Sequence, residues 1–327
     1  MCEKEKIQGI FRTIKASFQV VEDAEITLEA NPDDITEMKL TEWKEAGINR
    51  LSIGIQSFFD EDLQWMNRAH NAEQAINNLQ LAINKFDNIT IDLIYGTPGL
   101  TNEKWRNNVE RIIALNIPHL SCYALTVEPK TPLQKLIQQH KAEDVDPDKQ
   151  SEQFLLLMRW LEDAGYEHYE ISNFAKRGFR SRHNSSYWQG KTYYGFGPSA
   201  HSFDGNIRWW NVANNNAYIR SLEKGIVPFE KEELTLTQKI NEYIMTSLRT
   251  SEGLNIKRIE NIFSQQLAIG NWQNEQSDAI NTILKQSKKY IDKGHMVLKN
   301  DHFVLTKEGK LLADGIAADL FLDQGWP

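Results

Sequence analysis

Cysteine is nearly absent from this chain: its 327 residues contain only Cys2 and Cys122. Two thiols so far apart exclude a disulfide framework, and they cannot supply several closely spaced thiolates to one metal cluster. Long apolar runs are missing too. No window approaches the roughly 18 consecutive apolar residues of a membrane span, and the start lacks the charged, apolar and small-residue succession of a secretory signal. The expected location is the cytoplasm. A dominant charge of one sign is also lacking. The formal charge of −8 argues against a surface built mainly to grip nucleic acid or an anionic membrane, leaving Arg177, Arg180 and Arg182 as the best local basic patch. With 40% apolar and 25% charged residues, the chain has the ordinary composition of a protein that buries a full core.

What is present first is alternation. Between about Glu3 and Gly165, amphipathic helical patterns take turns with short apolar segments. Ile7, Ile10, Phe11, Ile14 and Phe18 recur at helical spacing, and helices are predicted over Thr36 to Ala46, Ala72 to Lys85 and Asn102 to Leu115. Strands are predicted over Glu25 to Ala30, Arg50 to Gln56, Ile89 to Tyr95 and His119 to Leu125, with Gly47 to Asn49 and Asn116 to Pro118 as helix-to-strand turns. Such βα units imply parallel strands with right-handed crossovers, and a ligand site at the strands' C-terminal ends. Those ends carry Glu29, Gln56 and Asp92.

A polar connection, Asp144 to Lys149, leads into a long helix over Asp148 to Ala164. The stretch from Tyr166 to Trp210, dense in aromatics, Gly and Asn, has no clear period and suits a binding surface or a loop-rich subdomain. Helical patterns return through Lys239 to Leu248, Ile256 to Phe263 and Ala279 to Lys293. The chain then closes on Met296 to Leu305, where Asn300-Asp301 between two apolar runs reads as a hairpin turn. The expected division is therefore 1–165, 166–230 and 231–327. The last part is predicted to be winged-helix-like; its mixed Lys and Glu favour packing against protein over binding nucleic acid.

The four strand segments, followed in order by Tyr169-Glu170-Ile171-Ser172-Asn173-Phe174-Ala175, His183-Asn184-Ser185-Ser186-Tyr187-Trp188 and Gly195-Phe196-Gly197-Pro198-Ser199-Ala200-His201-Ser202, closely resemble the radical SAM family of oxygen-independent coproporphyrinogen III oxidases. Within it, the HNxxYW segment resembles the HemW-type heme chaperones. The resemblance covers nearly the whole chain. It leaves unmatched the family's first strand with its CxxxCxxC loop and the second strand with its Gly-rich turn, about two βα units. It thus implies that Met1 corresponds to an internal position of a longer protein. The implied fold is α/β: a partial, open, parallel TIM-like barrel missing its first strands, plus a C-terminal α+β winged-helix-like module.

The resemblance also implies the cofactors, S-adenosylmethionine and a [4Fe–4S] cluster, with heme as cargo. A cluster of that kind needs thiolates on one loop, and Cys2 and Cys122 cannot imitate it, so no cluster is expected on this chain. Glu29, Gln56, Arg68 and Asp92 are the implied S-adenosylmethionine contacts. From the residues alone, Glu29 reads rather as a rim carboxylate paired with a base and Arg68 as a solvated arginine, while Gln56 is equally a strand cap and Asp92 half of a pair inside the barrel. Arg68 suits a carboxylate because its guanidinium is a planar fork. Asp92 stands among apolar neighbours and requires a partner wherever it points.

Outside the barrel, Arg182, His183, Tyr187 and Trp188 bring a cation, an imidazole and flat aromatic area together, and the resemblance gives that segment a heme-associated role. His183 is the candidate ligand to heme iron. The other reading is a loop held by His183 and Asn184 over a core filled by Tyr187 and Trp188. His201 is a second candidate ligand or a structural histidine, and Cys122 reads as an ordinary buried thiol. Two functions follow. One is a heme chaperone that receives heme and hands it to acceptor proteins. The other is an oxygen-independent coproporphyrinogen III oxidase that decarboxylates two propionates, which the missing cysteine loop disfavours. No nucleic acid is expected as a partner; self-association at an exposed sheet edge and peripheral membrane contact through an acceptor fit the first reading.

Overall fold

The computed structural model describes residues 4–266 and 273–323; Cys2 lies outside them. Two compact units divide between Arg182 and His183. The first contains helices α1 (Lys4–Ser17), α2 (Glu37–Ala46), α3 (Asp60–Trp65), α4 (Ala72–Ile83), α5 (Asn102–Ala114), α6 (Pro132–Gln138) and α7 (Pro147–Asp163). Its strands are β1 (Thr27–Ala30), β2 (Arg50–Gln56), β3 (Ile89–Tyr95), β4 (His119–Ala124), β5 (Glu167–Glu170) and β6 (Asn173–Ala175).

The helices begin where short polar side chains can accept the unpaired N–H groups of a first turn. Thr36 accepts from Lys39, Asn71 from Gln74 and Thr101 from Lys104. Gly47 ends α2 in the left-handed region, at φ 103°, where a glycine has no Cβ to crowd the preceding turn.

The strands assemble in the order β1-β2-β3-β4-β6-β5. The four expected strands run parallel. β6 and β5 add antiparallel, in a stretch whose sequence carries no strand period because the two strands are only 3 and 4 residues long. Among the described residues the sheet is open, with β1 at one edge.

The two faces of this sheet differ in character. Leu51, Ile53, Ile55, Ile89, Ile91, Leu93, Leu120, Cys122 and Phe174 are buried, on the face whose Tyr95 stacks on Phe154 of α7 and tilts against Trp105 of α5, centroids 6.1 and 5.5 Å away. The alternate positions Arg50, Ser52, Thr90, Asp92, His119 and Ser121 form a polar face. α1 is less fully packed than its apolar spacing predicts: Ile7 is buried, whereas Ile10 and Phe18 are exposed.

The second unit begins within α8 (Arg182–Trp188) and holds strands β7 (His201–Phe203), β8 (Ile207–Asn211) and β9 (Phe229–Glu233), an antiparallel sheet in the order β7-β8-β9, with helix α9 (Asn215–Leu222). It continues through α10 (Leu236–Leu248), β10 (Leu254–Asn255), α11 (Ile256–Gln266), α12 (Gln273–Asp292), β11 (Met296–Lys299), β12 (His302–Leu305), α13 (Lys307–Lys310) and α14 (Ala313–Asp319). β11 and β12 form the expected hairpin, and β10 adds to its far side in the order β10-β12-β11. Asn300 and Asp301 both take positive φ, 51° and 64°, as a tight hairpin turn demands. Helices with a small wing-like sheet match the winged-helix-like expectation.

Candidate functional site

The strand ends of the first unit build one polar site. Asn31 directly follows β1, and Arg68 follows α3 by way of Asn67, whose φ of 54° turns the chain back. Arg68 Nη2 donates to Asn31 Oδ1 at 2.6 Å and approaches the Gly54 carbonyl at 3.5 Å, while its buried Nε has no hydrogen-bond partner. Gln56 sits at an irregularity in the β2–β3 register with φ 68°. A Cβ on Gly54 would meet Gln56 Nε2 at 2.7 Å, Arg68 Nη2 at 3.5 Å and Asn31 Oδ1 at 3.6 Å. The missing side chain therefore lets these polar groups close in on the strand. Gln56 and Arg68 are thus brought together, joined by Asn31 and Gly54, which no local pattern had marked.

Asp92 lies deeper, on the polar face of β3. Removal from water raises its pKa to about 6, with Glu29 adding to the rise; the Ser121 and Ser52 hydroxyls and the Arg50 charge oppose it. Glu29 is exposed at the end of β1, opposite Ser52. Beneath them runs a buried chain that sequence reasoning missed. The Arg50 guanidinium donates to Thr90 Oγ1, Thr90 Oγ1 meets His119 Nδ1 at 3.0 Å, and His119 Nε2 meets the Tyr169 hydroxyl at 2.7 Å. Burial, then the Arg50 charge, holds the His119 pKa well below its ordinary value, so its ring is neutral. The available signal was polar residues recurring every second position in otherwise apolar strands: Arg50 and Ser52, Thr90 and Asp92, His119 and Ser121.

The segment Arg182 to Trp188 is helical, and its residues serve different neighbourhoods. Arg182 Nη1 donates to the Asp23 carbonyl at 2.7 Å and to its carboxylate at 3.1 Å, and the Arg182 N–H donates to Glu25 at 3.0 Å, all within the first unit. In the second unit His183 is exposed, and the Tyr187 ring stands edge-on to it, centroids 4.9 Å apart. Tyr187 in turn meets Tyr193 at 4.7 Å. Trp188 lies under the Arg249 guanidinium, 5.4 Å from its ring centre, with Nε1 buried and lacking an acceptor. Tyr187 and Trp188 line a cleft of about 930 Å³. His201 is exposed on β7, its ring 6.0 Å from that of Trp210.

Comparison with known proteins places this geometry. Residues 3–112 match the model of the radical SAM superfamily, and residues 234–312 match that of the HemN C-terminal domain. The chain is 33% identical to the heme chaperone HemW of Bacillus subtilis (strain 168), covering 96% of this chain and 79% of that protein. It is 30% identical to the heme chaperone HemW of Escherichia coli (strain K12), covering 97% and 79%. Among solved structures, coproporphyrinogen III oxidase (HemN) from Escherichia coli superposes with a TM-score of 0.78 at 23% identity, over 98% of this chain and 75% of that one; this likeness speaks to the fold.

The radical SAM superfamily carries S-adenosylmethionine and a [4Fe–4S] cluster. The polar cluster at Gly54, with the orphaned Arg68 Nε beside it, suits in its donors and acceptors the polar end of S-adenosylmethionine. The cluster does not fit the residues present. Cys122 is 1% exposed, and burial, then Asp92, pushes its thiol pKa far above the ordinary range; the sequence offers one other cysteine, Cys2, and no CxxxCxxC run. From the match along nearly its whole length, the chain belongs to the HemW family of heme chaperones within the radical SAM superfamily.

Proposed function

We propose that this protein binds heme and passes it to acceptor proteins, with His183, Tyr187 and Trp188 as its heme-contacting segment and His183 as the iron ligand. The observation that carries the reading is the exposed His183 imidazole beside the Tyr187 ring, at the end of an aromatic run that borders the large cleft. A neutral imidazole can ligate iron, and aromatic rings can cover a macrocycle. Arg182 belongs to the same segment, but its guanidinium is already held by Asp23; a propionate would have to compete with that carboxylate.

In the first unit, Arg68 would take the carboxylate of S-adenosylmethionine, Gln56 and Glu29 its amino and ribose groups, and Asp92 a hydroxyl. Once bound, S-adenosylmethionine brings a sulfonium whose reductive cleavage needs an electron donor. The residues here do not fit the cluster that would act as one; it is the similarity to heme chaperones that favours the chaperone reading over the oxidase one. No described helix is long and apolar enough to cross a membrane, which is compatible with work in the cytoplasm. Self-association is assigned to the open edge at β1, since an unpaired strand edge can pair with another chain.

A heme titration of the full chain, followed at the Soret band, tests the proposal with His183→Ala against His140→Ala. His140 is exposed after α6, whereas His119 is unsuitable as a control because its loss would break the buried chain from Thr90 to Tyr169. A shifted Soret band lost only in His183→Ala is expected. Equal spectra and affinities in both variants reject ligation by His183.

A further inference from the structure

Behind Tyr187 and Trp188, the cleft of about 930 Å³ lies between the β7–β8 sheet and helices α10 and α11, entirely inside the second unit. Its size is that of a small-molecule site, typically about 300–1,000 Å³. Its charge sets it apart from the rest of the chain. The protein carries a net −8, yet the charged groups lining this cleft are Lys191, Arg208, Lys239 and Arg258 against the single carboxylate of Glu242. Arg208 is spoken for, paired with both Glu232 and Glu242. Lys191, Lys239 and Arg258 make no ion pair among the described residues, although Lys239 donates to Asn206 at 2.7 Å and its charge reaches Asp204.

Arg258 is positioned with particular care. Its guanidinium lies 4.5 Å over the Tyr243 ring, and Nη2 donates to the Gln189 carbonyl at 2.7 Å. That approach depends on Gly190, which ends the α8 turn at φ 66° and whose Cβ, if present, would stand 3.3 Å from Arg258 Nη2. The next residue is Lys191, its N–H tied back to Ser186 at 3.0 Å. A cation held flat with donors to spare thus lines the same cleft as a second, exposed one. The wall is Tyr187, Tyr193 and Phe203, ring to ring at 4.7 and 6.3 Å.

Resting on the heme reading above, we propose that this cleft seats the propionate edge of a tetrapyrrole. Lys191 and Arg258 pair with its carboxylates, and the Tyr187–Tyr193–Phe203 wall faces the ring. A flat apolar body with peripheral carboxylates is what aromatic walls and separated cations can hold together. Iron plays no part in this contact, so a metal-free porphyrin reads the cleft without reading His183.

The test is a fluorescence titration of the full chain with metal-free protoporphyrin and with its dimethyl ester, in the same mild detergent. The proteins compared are the unaltered chain, Lys191→Glu, Arg258→Gln and a remote control, Lys299→Glu on β11. The unaltered chain should prefer the diacid, and Lys299→Glu should behave the same way. Lys191→Glu should weaken diacid binding by about tenfold and remove most of the preference over the ester. Arg258→Gln should act in the same direction; because it also loses the Tyr243 stacking, Lys191→Glu, which breaks no side-chain hydrogen bond or ion pair among the described residues, decides the matter. Diacid affinity unchanged in Lys191→Glu, or diacid and ester bound equally by the unaltered chain, overturns the proposal even where the His183 heme titration succeeds. If the unaltered chain binds heme but not metal-free porphyrin, the cleft proposal again falls and the iron-ligation reading stands; if it binds neither, both fall.

Discussion

Asp92→Asn isolates the electrostatic cost of a carboxyl group on the polar face of the sheet. Its pKa rises from 3.8 to about 6 in the folded protein, removal from water being the largest cause. A raised carboxyl pKa means that the folded state prefers the protonated form, so the stabilising contribution is complete below pH 4 and is lost as the pH climbs through 6. A shift of this size corresponds to about 3 kcal/mol in all, of which about 2 kcal/mol falls between pH 4.5 and 7.5. An asparagine keeps the shape and an acceptor for Ser52 or Ser121 but cannot ionise. The stability of Asp92→Asn minus that of the unaltered protein should therefore rise across this window by roughly that amount, on the order of 2 kcal/mol.

Urea midpoints of the first unit, measured at several pH values for both proteins, give this difference; other titrating groups cancel in it, and any constant cost of altered hydrogen bonding appears only as an offset. The Asp92 carboxyl carbon shift, followed by NMR, gives the titration directly. Parallel stability curves together with a carboxyl midpoint near 4 would refute the reasoning. They would mean that the Ser121 and Ser52 hydroxyls and Arg50 fully offset the loss of water.

Arg68→Met keeps the length of the side chain but removes the fork that meets Asn31. S-adenosylmethionine affinity by calorimetry should fall by at least about tenfold if the guanidinium takes the ligand's carboxylate, and equal affinity in the two proteins would show that it does not. Gly195→Ala would place a Cβ 2.1 Å from the His201 carbonyl oxygen, whereas Gly9→Ala in α1 meets nothing within 4 Å. The first should destabilise the second unit by roughly 1–3 kcal/mol and the second should be neutral or slightly stabilising; thermal melting read by tryptophan fluorescence compares them, and indistinguishable melting curves would contradict the packing at Gly195.

Much of the architecture was written in short-range pattern. The period of β2 and β3, the Thr36, Asn71 and Thr101 caps and the left-handed Asn300-Asp301 turn all depend on residues within a few positions of each other, where backbone sterics and local hydrogen bonding act. The same pattern, together with the ordered motifs, was enough to indicate parallel strands. β5 and β6 escaped because strands of 4 and 3 residues are too short to display a period.

Tertiary structure decided the pairings. Arg182 faces Asp23 across 159 positions, and His119 meets Tyr169 across 50; nothing local encodes either, since a side chain's charge or donors say what it needs but not which distant group supplies it. The cleft is the same kind of outcome. Lys191, Tyr193 and Arg258 look like ordinary surface residues in the sequence, and only the folding of α11 and the β7–β8 sheet around the end of α8 gathers them into one electropositive, aromatic hollow. Sequence alone determined the four parallel strands, the helices between them, their order and the family, because those depend on periods and motifs along the chain. Which polar groups share a face, a cavity or an ion pair was settled by long-range packing, because burial and electrostatics act on distances in space.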